Sequence, residues 1–122
     1  MFERVMKQGR IDRAAMLLSG LCVVHCLTTA ILFGMLSSAS LVLADLHFHE
    51  AGLAAAVILA VLGLGIGYRS HGLSTPLAAG TAGVILMALA LVLPHGAGEA
   101  ALTITGVCLL GFGHHLNRQA LR

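Results

Sequence analysis

The sequence predicts an all-α membrane protein: an antiparallel four-helix transmembrane bundle with both termini in the cytoplasm. Three observations predict it. The composition is 58% hydrophobic and only 10% charged, against roughly 25% charged in soluble domains, so lipid must be the solvent for most of the surface. Four apolar segments, about 13–36, 47–68, 76–94 and 99–117, each approach the ~20 residues that a helix needs to cross a bilayer. The basic residues are also unevenly placed. Arg4, Lys7, Arg10 and Arg13 precede the first segment, Arg69 lies between the second and third, and Arg118 and Arg122 follow the fourth. All fall on one side, while the opposite loops carry Asp45, Glu50 and Glu99. Basic loops stay on the cytoplasmic side.

The elements follow in order along a single domain, residues 1–122. The first apolar run is too long for the h-region of a secretory signal, so it is expected to remain as a span, ending at "SSAS" and Asp45. The second opens on "HFHE" and closes on "GYRSHG". Its "GLGIG" puts Gly63 and Gly67 at the spacing that lets helices approach closely in lipid, and Gly80, Gly83, Gly106 and Gly111 extend that small surface. The glycines do not form a dinucleotide fingerprint, since no strand precedes them and no third glycine falls in place. Pro76 suits the first turn of the third helix and Pro94, in "PHGAGE", the end of it. Lipid forbids unpaired backbone groups, so helices with short links are the expected solution.

Chemistry concentrates in "LSGLCVVHCLTTA", residues 17–29. Positions three and four apart share a helix face, so Asp12, Ser19, Cys22, Cys26 and Thr29 form one polar stripe, flanked by His25. The geometry of an i,i+4 pair is awkward for a disulfide but lets two sulfurs converge on one soft or borderline ion, which imidazole joins readily. The alternative is that cysteine serves as small apolar filler; it suits the isolated Cys108 better than a Cys pair with an imidazole at membrane depth. The remaining histidines fall into layers. His47, His49 and Glu50, with His95 and Glu99, belong to the outer mouth, and His71, His114 and His115 to the inner one, with the Cys pair expected near mid-depth. His49 and His71 are separated by about 33 Å of helix and cannot share an ion. Adjacent His114 and His115 diverge by about 100°, so one of them faces inward. Histidines near helix ends also serve as interfacial residues with a polar tip in water, the reading preferred for His95. Asp12 is expected to cap the first helix, with pairing to Arg13 or an inner-layer histidine as the alternative.

"LSGLCVVHC", "HFHE", "GYRSHG" and "GHHLNR" together resemble the MerC family of small inner-membrane mercury-resistance proteins, over about Asp12 to Arg118. The resemblance implies a four-span, multi-pass protein of the bacterial inner membrane that takes up Hg(II) from the periplasm and passes it to cytoplasmic thiols. It carries over Cys22 and Cys26 as metal ligands and, through the wider MerC-domain group, His25, His49, His71 and His114. The pair here is C-x-x-x-C enclosing His25, where mercury-operon members carry C-x-x-C. A Cys₂His-like set is less purely thiophilic, so Zn(II) and Cu(I) stand beside Hg(II) as cargo.

The expected function is therefore heavy-metal binding and uptake, with the ion as cargo and no resident cofactor required. The expected partners are the bilayer, the metal ion and a cytoplasmic thiol acceptor. A four-helix unit leaves little room for a pore, so a homo-oligomer sharing one path is also an expectation. Nucleic acid is not, because no basic run interleaves with aromatics. Nor is an enzyme, because no nucleophile–base pair is legible. Two alternatives stand: a haem or redox module using His71 and His114, and a structural or partner-binding bundle in which the Cys and His are incidental.

Overall fold

The computed structural model describes residues 2–35 and 46–122, and it is all-helical there, with no strand among the described residues. Helix α1 is Phe2–Met35. Helix α2 is α-helical over Leu46–Ala60, π-helical over Val61–Gly65 and α-helical again over Ile66–His71. Helix α3 is Ser74–Ala90 and α4 is Ala97–Ala120. The expected turn at "SSAS" and Asp45 lies outside the described residues.

The helix boundaries are those that local chemistry sets. Gly72 ends α2 in the left-handed region, φ 73°, with its N–H on the Tyr68 carbonyl at 2.8 Å, a closure that suits a residue without Cβ. Pro76 sits in the first turn of α3, where its missing N–H costs nothing. α3 stops at Ala90, short of the expected Pro94, and Leu91–Leu93 form a turn ahead of that proline. One expectation is overturned here. α1 begins at Phe2, ahead of the apolar run at 13–36, since "FERVMKQGR" is rich in helix formers. Asp12 thus lies three turns inside the helix and is no cap.

Contacts fix how the helices run. Asp12 meets His114 while Ser19 meets Gly111, so α1 and α4 point in opposite directions. Cys22 lies beside Gly52 and Gln8 beside Gly63, so α1 and α2 do too. α3 and α4 are the most closely joined pair. A Cβ on Gly83 would lie 2.5 Å from the Gly106 carbonyl oxygen, and one on Gly113 would lie 2.8 Å from that of Pro76. Backbone against backbone at this range is small-residue packing of the kind found in lipid.

The molecule is inside-out compared with a water-soluble domain. Gln8, Asp12, Ser19, Thr103, His114 and Asn117 are buried, while Leu17, Leu21, Ile58, Ile85 and Val92 face outward. The buried apolar core is small: Ala56, Leu64, Met87, Val107 and Leu110, with Cys22 and Val23 packed against it. In water such exposure would drive aggregation; in lipid it is the solvated face. Two stretches, Met6–Ile31 and His47–His71, are long and apolar enough to cross a membrane. Ser74–Ala90 is apolar but shorter, and α4, which carries Glu99, His114, His115 and Asn117, does not reach that apolarity.

Candidate metal centre

The polar residues gather into two clusters at opposite ends of the helices, separated by the apolar core. From Cys26 to Asp12 along α1 is about 21 Å.

The first cluster is built around His49, near the start of α2. Its Nε2 lies 3.9 Å from Cys26 Sγ and 3.3 Å from Glu99 Oε1. The other oxygen of Glu99 lies 3.2 Å from His95 Nδ1. Nε2 is thus the His49 nitrogen turned toward both Cys26 and Glu99, and the ring's other nitrogen is Nδ1. That Nδ1 is buried without a hydrogen-bond partner, an uncommon state for a buried nitrogen. His25 stacks alongside, its ring 5.6 Å from that of His49 and 5.8 Å from that of Phe48. Two cavities adjoin the group. One of about 200 Å³ is bounded by Cys26, Thr29, His49, His95 and Glu99. A second of about 30 Å³, lined by Cys22, His25, Cys26, His49 and Thr103 among others, has room for one occupant of about the size of water.

These distances have a chemical meaning. An ion about 2.3 Å from sulfur and about 2.0–2.1 Å from nitrogen holds the two atoms about 3.6 Å apart at a tetrahedral angle and about 4.4 Å apart when linear. The Cys26–His49 separation of 3.9 Å falls between these limits. Among the described residues no group of three His, Cys, Asp or Glu side chains is placed to hold a metal ion.

The second cluster ties α1, α2 and α4 together. His114 Nδ1 bonds Asp12 Oδ1 at 2.7 Å, and Asn117 Nδ2 donates to Asp12 Oδ2 at 2.9 Å. Asn117 Nδ2 and Gln8 Nε2 also reach the Gly63 carbonyl, at 3.3 and 2.7 Å. His71 Nδ1 accepts the Leu73 N–H at 3.0 Å, so its Nε2 carries the proton and donates to Asn117 Oδ1 at 2.8 Å. Both ring nitrogens of His71 are therefore engaged. His114 retains one unpartnered atom, the buried Nε2. Gly63 and Gly67 make the space: a Cβ on Gly63 would lie 2.7 Å from His114 Cε1, and one on Gly67 would overlap the Asn117 amide. The π-turn at Val61–Gly65 falls at this junction, as such irregular turns often do at functional positions.

The residues singled out from sequence thus divide. Cys22, Cys26, His25 and His49 come together, whereas His71 and His114 belong to the other end. The Cys pair was expected between the two histidine layers; Cys26 instead lies within reach of the outer one, 3.9 Å from His49. Asp12 takes the histidine pairing that was its alternative reading. His114 is fully buried and His115 exposed, as their angular offset requires. His95, expected at the interface, is paired with Glu99, while His47 pairs with Glu50 at 3.5 Å in an exposed position. Cys108 is exposed. Sequence reasoning passed over Gln8 and gave no contact role to Glu99 or Asn117; Gln8 sits four residues before Asp12, in step with the polar stripe.

A family model described as MerC mercury resistance protein matches residues 12–119, most of the chain. No curated protein and no solved structure matches it.

Proposed function

The chain belongs to the MerC family of mercury-resistance membrane proteins, and from that premise we propose that it is a four-span inner-membrane carrier that captures a soft metal ion at Cys26 and His49. The observation that carries this reading is the approach of Cys26 Sγ to His49 Nε2 at 3.9 Å, beside Glu99 and next to a cavity of about 200 Å³. In this reading Cys22 and His25 enlarge the donor set, neutral His49 presents the Nε2 lone pair with its ring proton on Nδ1, and the Glu99 carboxylate beside Nε2 offsets the charge of the ion. Hg(II) is the favoured cargo, with Zn(II) and Cu(I) admitted by the mixed sulfur–nitrogen set.

Orientation follows from the basic residues. Arg10, Arg13, Arg118 and Arg122 border one groove, at the end remote from Cys26. Placing that end in the cytoplasm makes the Cys26–His49 cluster the periplasmic entrance. His71 and His114 hold the cytoplasmic end together rather than ligating the incoming ion. Because Ala56, Leu64, Met87, Val107 and Leu110 fill the space between the clusters, passage requires the helices to shift, and the π-turn of α2 is the natural place for a change of register. Delivery ends on a cytoplasmic thiol by ligand exchange.

The test is uptake of labelled Hg(II) by cells expressing the wild-type chain or Cys26→Ser. The reading predicts accumulation above the empty-vector level for wild type and its loss for the variant. Equal accumulation in both would remove Cys26 from the path.

A further inference from the structure

A groove of about 360 Å³ between the start of α1 and the end of α4 is bordered by Arg10, Arg13, Arg118 and Arg122, with no Asp or Glu side chain along it. The arginines meet there for a geometric reason. Arg10 and Arg13 are three apart on α1, Arg118 lies in the last turn of α4 with Arg122 just past its end, and the Asp12–Asn117 bond at 2.9 Å joins those turns. Among the described residues none of these four guanidiniums is in an ion pair; every pair there involves a histidine. Like charges gathered in one concavity repel, and the field they share attracts an anion.

We propose that this groove binds the phosphodiester of an anionic phospholipid. Guanidinium is a planar fork that matches phosphate oxygens two at a time, and basic pockets between helices at the cytoplasmic face of a bilayer suit phospholipid headgroups. A lipid is favoured over a free anion by position. Arg10 and Arg13 lie within the apolar stretch Met6–Ile31, and Met6 borders the groove beside them, so a ligand there has its charge on guanidinium and its glycerol and acyl carbons on apolar surface. The proposal stands apart from the metal reading and does not depend on it.

The test uses the full chain in mild detergent, titrated with phosphatidylglycerol or phosphatidylcholine and read by native mass spectrometry. Two variants probe the groove: Arg118→Gln with Arg122→Gln, and Gly9→Phe. Gly9 borders the groove, and a Cβ there would meet nothing within 4 Å, so an aromatic ring fills the space while leaving every arginine in place. Phosphatidylglycerol is expected to be retained in preference to phosphatidylcholine. The double variant is expected to lose about 25-fold in affinity, about fivefold per arginine, and Gly9→Phe to lose retention as well. Millimolar inorganic phosphate should leave the lipid bound, and Hg(II) binding should be unchanged in both variants. Equal retention of the two lipids, undiminished retention in either variant, or displacement by inorganic phosphate would overturn the proposal.

Discussion

Asp12 Oδ1 and His114 Nδ1 lie 2.7 Å apart, and neither side chain is reached by solvent. The residues are 102 positions apart in sequence, so this one contact fixes the first helix on the last. Removing one member of such a buried hydrogen-bonded pair strands the other, at a cost of about 1–3 kcal/mol. Asp12→Ala is expected to lower unfolding stability in detergent by that amount. Asp12→Leu combined with His114→Leu is expected to recover part of it, because the Asn117 N–H that met Asp12 is then the group left without its partner. A single variant as stable as wild type would contradict the pairing.

Gly67 faces the Asn117 amide so closely that a methyl group would overlap it, whereas a methyl group on Gly20 would meet nothing within 4 Å. Gly67→Ala is therefore expected to push Asn117 off His71 and destabilise by about 1–3 kcal/mol. Gly20→Ala is expected to be neutral or to stabilise by up to about 1 kcal/mol, the helix-propensity gain. Thermal unfolding of the two variants side by side checks the contrast.

The sequence made some of this legible and hid the rest for physical reasons. The stripe through Asp12, Ser19, Cys22 and Cys26 could be read because helical periodicity alone decides which residues share a face. The partners of that stripe could not, since they depend on how helices distant in sequence cross. The charged residues before Asp12 looked like a flank leading into a helix, yet they form its first three turns. Gly63 and Gly67 were recognised as small surfaces for helix packing, but what they admit is a network of Asp12, His114 and Asn117. The π-turn at Val61–Gly65 leaves no periodic signature to find. The MerC resemblance, drawn from the Cys/His motifs, agrees with the family match over residues 12–119.

Glu99 contacts both His49 and His95, at 3.3 and 3.2 Å, and so holds a carboxylate beside the His49 nitrogen that faces Cys26. Partners of this kind commonly control metal affinity by 10–100-fold. Glu99→Gln keeps the shape but removes the charge, and is expected to weaken Hg(II) binding within about that range. Competition titration against a chromophoric chelator measures it. Unchanged affinity would mean that His49 needs no orienting group.

Cys108 is exposed on α4, whereas Cys26 is buried against His49. Cys108→Ser is expected to leave both Hg(II) uptake and binding stoichiometry at wild-type values. A loss would move the site, or part of it, to α4.

Topology is tested by reporter fusion. A reporter after Arg122 is expected to be active only in the cytoplasm. Reversing the charge of the basic end by Arg→Glu changes at Arg4, Arg10 and Arg13 is expected to weaken that preference. Activity on the periplasmic side in the wild-type chain would place the Cys26–His49 entrance on the wrong face.

The most direct measurement is metal content with ligand identification. The purified protein is loaded with Hg(II), freed of excess, and examined by elemental analysis and X-ray absorption at the metal edge, beside the Cys22→Ser, Cys26→Ser double variant. The account predicts about one ion per chain, with sulfur and nitrogen in its shell, and none retained by the variant. Equal retention by both proteins, or a shell without sulfur, would contradict it.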